Sequence, residues 1–211
     1  LNIVMIVADD LNYDSTGLTG CAIEGITPNI DRLATEGIHF VNGHVTIAAC
    51  QPSRQCWMTG RYPHNIGALG FEPIDAAIPT LQESLRAAGY RNGILSKVQH
   101  LEPEEKYCWD TVVQRGQLGH GRNPMLYYRH SRRFFEEARQ AGQPFFLMAN
   151  SNDPHRPFTG SPNEPAYVKR MGGGPLPEAT RVFDPDQVEI PGFLPDIPDV
   201  RKEVAEYYGS T

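Results

Sequence analysis

The amino-acid sequence predicts an α/β domain built on a mostly parallel sheet flanked by helices. Its 211 residues are enough to bury the core of one such domain. Short apolar runs alternate with segments whose apolar residues recur at helical spacing. The run at residues 2–8 is nearly continuous rather than alternating, which is typical of a parallel strand that is covered on both faces. The predicted strands are residues 2–8, 38–41, 91–95 and 145–149.

The first of these strands ends in a pair of carboxylates, Asp9 and Asp10. We expect this strand in the centre of the sheet, and sites in open α/β sheets gather at the carboxyl ends of strands. Two adjacent carboxylates repel each other, and a divalent cation with oxygen ligands would relieve that repulsion. The alternative interpretation is a solvated acidic turn.

Capping residues and glycines mark the predicted helices. Thr27 and Pro28 suit the N-cap and first position of a helix that Gly37 ends. Thr80 and Glu83 form a capping box at the start of another helix. The predicted helices are residues 28–36, 52–59, 80–88, 124–141 and 199–208.

Residues 50–60 combine a thiol with a predicted helix N-terminus. Pro52 suits the first turn of a helix, and Gly60 can end it. Cys50 would then lie at the positive end of the helix dipole, where a nucleophile or a bound anion is favoured. Arg54, one turn further along, could direct its guanidinium to the same place. A buried cysteine in a strand–turn–helix connection is the alternative interpretation.

Basic and imidazole side chains follow two further predicted strands. Lys97 and His100 come after the strand at 91–95, and His155 comes after the strand at 145–149. Because parallel strands end at one edge of a sheet, these side chains could reach a common cleft. Taken singly, each would be interpreted as a surface loop residue.

The stretch from residue 50 resembles the signature of the sulfatase family, within the alkaline-phosphatase-like superfamily. It matches the pattern C-x-P-S-R-x-x-x-M-T-G, and the resemblance extends over essentially all of the chain. It implies an alkaline-phosphatase-like fold and conversion of Cys50 to formylglycine by a maturation enzyme. It also implies a calcium ion bound by Asp9, Asp10 and the residue derived from Cys50. The matching string is Cys50-Gln51-Pro52-Ser53-Arg54-Gln55-Cys56-Trp57-Met58-Thr59-Gly60.

The resemblance further implies hydrolysis of a sulfate ester or a sulfamate, with a small molecule or a saccharide as the leaving group. Sulfatases usually carry a histidine two residues after the active-site lysine. Here Gln99 has that position and the histidine comes one residue later, so either Gln99 or His100 fills the role; we assign it to His100. The implied catalytic residues are Cys50, Arg54, Lys97, His100 and His155.

Two other functions stay open at this point. Some phosphonate monoester and phosphodiester hydrolases share this fold and a formylglycine motif, and sulfate and phosphate esters have similar tetrahedral geometry. The third hypothesis is a non-catalytic truncated copy. Sulfatases continue through a second metal-binding pair and a C-terminal subdomain, which this sequence lacks. We therefore expect residues 1–211 to be an incomplete N-terminal catalytic domain that binds calcium weakly and turns over poorly on its own.

Composition argues against a nucleic-acid partner and against a membrane span, and only the family resemblance indicates a cellular location. The net charge of -6 argues against a nucleic-acid surface. No apolar run approaches the roughly 18 residues of a membrane span. Leu1 is not a natural start and no signal peptide is visible, so we expect a leader upstream; by resemblance the protein would be periplasmic or secreted. Residues 154–198 hold ten of the 18 prolines and a run of three glycines, which predicts a long irregular segment.

Overall fold

The computed structural model of the protein describes residues 1–171 and 176–211. By its internal contacts the chain divides into two compact units. The glycine run at 172–174, which the sequence placed in the irregular segment, lies outside the described residues. The first unit comprises Leu1–Val7 and Gly43–Ser151, and the second comprises Ala8–Asn42 and Asn152–Thr211.

Six helices are present in the described residues. The sequence predicted five of them, with ends that differ by up to two residues. Thr27 precedes the first helix as expected, but its hydroxyl bonds to the Asp31 carboxylate at 3.1 Å and does not cap the helix. The helices are α1 (Pro28–Glu36), α2 (Cys50–Thr59), α3 (Leu81–Ala87), α4 (Pro124–Gln140), α5 (Glu164–Met171) and α6 (Pro198–Ser210).

The first unit is built on a four-stranded sheet in which every neighbouring pair is parallel. Val7 lies opposite Asn150, and Leu95 lies opposite both Ala149 and Val113. The carboxyl ends of the strands therefore meet at one edge, as the sequence predicted. The strands are β1 (Ile3–Val7), β2 (Arg91–Leu95), β3 (Thr111–Val113) and β4 (Phe145–Asn150), in the order β1-β4-β2-β3.

The predicted central position of β1 is wrong for the described sheet. β1 pairs with β4 on one side only and forms an edge, and the side chains of Ile3, Val4 and Ile6 are exposed. The central strands are β4 and β2, which are buried along most of their length. Continuous apolar composition identified β1 as a strand without identifying its place in the sheet.

The strand predicted at residues 38–41 is also wrong. These residues form no regular element, and Ile38 and Phe40 are 80% and 79% exposed. A strand needs a partner for its backbone hydrogen bonds, and the described part of the second unit contains no other strand. The short β3, which the sequence did not predict, instead completes the sheet of the first unit.

Helices cover both faces of the sheet. On one face α2 and α3 pack against Ile94, Phe146 and Met148. On the other face α4 places Phe134 against Leu147. This three-layer arrangement is the one predicted from the continuous apolar strands.

Gly93 on β2 allows α4 to approach the sheet closely. A Cβ atom built there would lie 2.6 Å from Phe134 Cε2 and 3.0 Å from Leu147 Cδ1. Such distances are well below van der Waals contact, so the packing of α4 requires a residue without a side chain at this position.

The second unit packs α6 against loop segments around a small apolar core. Its buried residues include Ile26, Val188, Val204 and Tyr208. The proline-rich segment 154–198 contains the eight residues of α5, and most of its other described residues are irregular. Within residues 1–171 and 176–211, no helix is both long enough and apolar enough to span a bilayer.

Candidate active site

Cys50 is the first residue of α2 and is half-buried. The helix begins two residues earlier than the sequence predicted, because the Ser53 N–H already donates to the Ala49 carbonyl at 3.1 Å. Pro52 therefore lies within the first turn, where its missing N–H costs no helical hydrogen bond. Gly60 ends the helix in the left-handed conformation, with φ of 66°. This places residue 50 at the positive end of the helix dipole.

Polar side chains anchor α2 within the first unit. The Gln51 and Gln55 side-chain amides each donate to the Glu72 carbonyl at 3.1 Å. The Gln55 side-chain oxygen accepts from the Glu102 N–H at 3.3 Å. Both glutamines are buried, so these bonds satisfy groups that would otherwise lose their hydration. The first turns of the helix are thereby held in place.

Arg54 is 2% exposed, although it carries a permanent charge. Its Nη1 donates to the side-chain oxygen of Asn150, and its guanidinium carbon lies 5.8 Å from the centre of the Trp57 ring. Burial of a guanidinium is costly unless acceptors surround it. A buried cation of this kind, one turn after Cys50, suits the binding of an anion at the helix N-terminus.

Lys97 and His100 follow β2 in a tight turn. Ser96 and Lys97 both have left-handed backbone, with φ of 61° and 60°, and Lys97 is 4% exposed. A 3-10 turn then ends at His100, whose half-buried ring packs nearly perpendicular to that of Phe71, with ring centres 6.1 Å apart. Gln99 is exposed. Of the two residues considered for the histidine position, the packed one is therefore His100.

Asn150, at the end of β4, contacts several elements of the first unit at once. Its side chain is fully buried and donates to the carbonyls of Leu95 and Ser96, at 3.1 Å each. Its side-chain oxygen accepts from Arg54, and its backbone carbonyl accepts from the Tyr127 hydroxyl. The sequence did not identify Asn150 as a site residue.

In the second unit, the carboxylate pair lies beside His155. Asp9 is buried, and its N–H donates to the Asp153 carbonyl at 3.1 Å. Asp10 has left-handed backbone with φ of 62°, and its carboxylate lies 3.7 Å from His155 Nε2. The His155 N–H donates to the Asn152 carbonyl at 2.9 Å, which shapes the loop that carries the imidazole.

A cavity of about 230 Å³ opens beside Asp10 within the second unit. Its wall includes an ion pair between Arg156 and Glu203 at 2.7 Å, and this hydrogen bond raises the pKa of the Arg156 guanidinium. Phe158 and Tyr207 form an aromatic part of the wall, with ring centres 5.7 Å apart. Charged groups and aromatic rings together suit a polar ring-shaped ligand.

The two units each hold part of the predicted set of residues. The first unit brings a thiol, two cations and an imidazole to the carboxyl edge of its sheet or to the adjoining helix. The second unit brings two carboxylates and an imidazole together. The sequence reasoning missed Asn150, Arg156 and Glu203, whose partners are distant in sequence. The residues of the first unit are Cys50, Arg54, Lys97 and His100, and those of the second are Asp9, Asp10 and His155.

Comparison with known proteins gives a match over the whole chain. The family model described as Sulfatase matches residues 1–211. The N-sulphoglucosamine sulphohydrolase of Homo sapiens is 31% identical over 223 residues, which cover 98% of this chain and 43% of that protein. The chain therefore spans less than half the length of this relative.

Two solved structures are similar to the described fold. One, solved in complex with its substrate D-glucosamine-2-N,6-O-disulfate, has a TM-score of 0.62 at 23% identity and covers 85% of this chain and 39% of its own. The lipoteichoic acid synthase LtaP of Listeria monocytogenes has a TM-score of 0.59 at 15% identity and covers 99% of this chain and 49% of its own. At these identities the likeness establishes a shared fold and leaves the reaction open.

Proposed function

Since the chain belongs to the sulfatase family, we propose that the protein hydrolyses sulfate esters or N-sulfates of saccharides. The alkaline-phosphatase-like α/β fold expected from the sequence is confirmed by the parallel sheet and the structural matches. The observation that carries the proposal is the family signature folded as the start of α2. There, Cys50 lies at the helix N-terminus and Arg54 is buried one turn away.

We assign the nucleophile to residue 50. After conversion to formylglycine, one hydroxyl of the hydrated aldehyde would attack sulfur as the bond to the leaving group breaks. The other hydroxyl would then lose its proton and expel sulfate, which restores the aldehyde. The helix N-terminus and the Arg54 guanidinium stabilise the negative charge that grows on the sulfate oxygens. Lys97, held in the turn after β2, adds a second positive charge in the same unit. The carboxyl edge of the sheet thus provides electrostatic stabilisation for an oxyanion.

The histidines have the proton-transfer roles in this proposal. As the bond from sulfur to the leaving oxygen or nitrogen breaks, that atom needs a proton. An imidazolium at His100 or His155 can donate it, since histidine exchanges protons near neutral pH. The Asp10 carboxylate lies 3.7 Å from His155 Nε2.

We propose calcium as the metal, with Asp9 and Asp10 among its ligands. Calcium prefers oxygen ligands, and these two carboxylates offer them in adjacent positions. Because calcium takes about 6–8 oxygens, other groups must supply the rest. When bound, the ion would polarise a sulfate oxygen.

The proposed substrate class is a sulfated amino sugar. The human relative that matches 98% of this chain is an N-sulphoglucosamine sulphohydrolase, and a similar structure binds a glucosamine disulfate. The cavity beside Asp10 supports this class, because Phe158 and Tyr207 suit the apolar face of a sugar ring. Arg156 and Glu203 offer hydrogen bonds to hydroxyl or amino groups.

The test is sulfate release by protein that is produced together with a formylglycine-generating enzyme. N-sulfoglucosamine, glucosamine 6-sulfate, an aryl sulfate and an aryl phosphonate are assayed in parallel, with Cys50→Ala as control. We expect release from the sulfated sugars and none by the control. Conversion is measured first by mass, since replacing the thiol by a carbonyl oxygen lowers the mass by about 18 Da.

The other outcomes of this assay separate the alternatives. Faster hydrolysis of the phosphonate would favour a phosphonate monoester or phosphodiester hydrolase. Conversion of Cys50 without hydrolysis of any compound would favour a non-catalytic copy. A Cys50 that stays a thiol in the presence of the maturation enzyme would contradict the assignment of the nucleophile.

A further inference from the structure

The geometry points to Asn150 as the residue that positions the two buried cations of the first unit, Arg54 and Lys97. This inference rests on the proposed function, because it concerns how the sulfate-binding charges are held. Asn150 acts through Arg54 and through the turn that carries Lys97. It is therefore a positioning residue.

The acceptor end of the Asn150 side chain faces Arg54. Its oxygen accepts a hydrogen bond from Arg54 Nη1, where both side chains are at most 2% exposed. An amide oxygen is a neutral acceptor, so it orients the guanidinium without cancelling its charge. A carboxylate in this place would pair with Arg54 and weaken its attraction for an incoming anion. The neutral amide therefore leaves the charge of Arg54 available.

The donor end of the same side chain faces the turn after β2. Its nitrogen donates to the carbonyls of Leu95 and Ser96, at 3.1 Å each, which uses both of its N–H groups. The reverse orientation of the amide would place N–H groups against a guanidinium and an oxygen against two carbonyls. The contacts therefore fix the amide in one orientation.

These two bonds hold a strained stretch of backbone. Ser96 and Lys97 are consecutive residues with left-handed backbone, which side-chain-bearing residues rarely adopt. Such a conformation persists when the surrounding contacts determine it, and Asn150 bonds the carbonyls immediately before and within this stretch. The position of Lys97 thus depends on Asn150.

The backbone of Asn150 is itself held firmly. It lies opposite Val7 in the parallel register, and its carbonyl accepts from the Tyr127 hydroxyl, which also lies 3.2 Å from the Gly121 carbonyl. A side chain that starts from central strand β4 has little freedom to move. Asn150 therefore sets the position of Arg54 relative to the Lys97 turn.

The test uses the thiol form of the protein, in which Cys50 reports the local charge without any need for turnover. The alkylation rate of Cys50 is measured by peptide mapping with iodoacetate and with iodoacetamide, and the ratio of the two rates is taken. The thiolate fraction cancels in this ratio, so it reports how strongly nearby cations attract the anionic reagent. We expect Arg54→Ala to lower the ratio about threefold, as for loss of one charge several ångströms away in a solvated site.

The Asn150 variants are compared with that reference. Asn150→Leu keeps the branched shape and the number of side-chain heavy atoms and removes both polar ends, and we expect it to lower the ratio as far as Arg54→Ala does. Asn150→Asp keeps the acceptor but adds a negative charge, and we expect a decrease at least as large. In the Arg54→Ala background, Asn150→Leu should lower the ratio by less than it does alone.

Asn92→Ala is the matched control. Asn92 is also fully buried, lies on the neighbouring strand β2, and donates to backbone carbonyls, at 3.0 Å to that of Gln82. We expect Asn92→Ala to lower stability and leave the alkylation ratio unchanged, because it contacts neither cation. A changed alkylation ratio in Asn92→Ala would show that any destabilisation of the first unit has this effect, and it would overturn the inference.

The decisive results are independent of sulfatase activity. An unchanged ratio in folded Asn150→Leu overturns the inference, and an unchanged ratio in Asn150→Asp does so where the leucine variant does not fold. Absence of sulfate release from the converted protein would count against the proposed function and leave the alkylation result standing. A lowered ratio in both Asn150 variants, with an unchanged ratio in Asn92→Ala, supports the positioning role.

Discussion

Glu83 links the start of α3 to Lys106, and its ionisation depends on these contacts. Partial burial alone would raise the pKa of this carboxyl. Hydrogen bonds from the Thr80 backbone N–H at 2.8 Å and from Lys106 Nζ at 3.0 Å outweigh that effect and hold the pKa of Glu83 below its ordinary value of 4.5. A depressed folded-state pKa means that the unfolded chain binds the proton more readily.

We therefore predict a pH-dependent cost of Glu83→Gln. The contribution of the carboxylate to stability is fully present above its ordinary pKa of 4.5 and is lost as pH falls through the lower folded-state pKa. The difference in unfolding free energy between the two proteins should be largest near neutral pH and should shrink in acid. Urea titrations across this range measure it. Glu36→Gln, at a residue 68% exposed, is the control. A difference between wild type and Glu83→Gln that is the same at every pH would contradict the prediction.

Glu83 and Asn150 differ in how far their partners lie along the sequence, and this difference decides which contacts can be predicted from the sequence. The capping box joins residues three apart, so Thr80 and Glu83 were predicted from their spacing and are confirmed. The side-chain partners of Asn150 are 54, 55 and 96 residues away. Such contacts depend on strand order, which local patterns do not encode. Cys50 and Arg54 were accessible to sequence reasoning because one helix carries both.

At the scale of elements, the close approach of α4 to the sheet requires a residue without a side chain at position 93. A Cβ in Gly93→Ala would meet Phe134 and Leu147 at 2.6 Å and 3.0 Å. We predict a loss of about 1–3 kcal/mol in unfolding free energy, as for overpacking of a filled core. The midpoint of denaturant unfolding measures this loss.

Gly116→Ala is the control for that substitution. A Cβ built at Gly116 meets no atom within 4 Å, so we expect a change of about 0.5 kcal/mol or less. Equal effects of the two substitutions would show that the packing of Phe134 on the sheet does not decide the cost. A stabilised Gly93→Ala protein would contradict the described position of α4.

The strands show where element prediction from sequence succeeds and fails. The bounds of β2 were predicted correctly because Gly89 marks the turn before it and Ile94 and Leu95 end it. The run at 38–41 is also apolar but has no partner strand among the described residues of its unit, so it stays irregular and exposed. Only three residues long, β3 carries too little pattern to be recognised. Pairing, which decides all three cases, is a property of the assembled sheet.

At the scale of the whole molecule, the shared fold does not select the reaction. The described fold matches a lipoteichoic acid synthase and a structure bound to a glucosamine disulfate with almost equal TM-scores, 0.59 and 0.62. Function must therefore be argued from the site. The signature at Cys50 and the cavity of the second unit are the features that favour a sulfated sugar.

Glu203 lines the cavity beside Asp10, so its removal should affect the binding of a sugar there. We expect Glu203→Ala to raise KM for a sulfated amino sugar about threefold to tenfold, as for loss of a hydrogen bond to a polar substrate group. KM for a small aryl sulfate should change less, because it lacks the sugar hydroxyls. The control is Glu206→Ala on the same helix, at a residue that does not line this cavity. Equal changes in KM for both substrates would show that Glu203 does not bind the sugar.

The pairing of β1 with β4 also bears on how the protein is made. Ile3 lies opposite Phe146 in the parallel register, although the two strands lie near opposite ends of the first unit's sequence. A ribosome delivers β1 first, yet its partner emerges only after most of the intervening residues have been translated. In the described sheet β1 is therefore the earliest strand to be synthesised. It cannot pair into the sheet until β4 has been synthesised. The apolar residues of β1 remain unpaired during that interval and must not aggregate. The time needed to translate the chain up to Asn150 therefore limits how early the sheet can form.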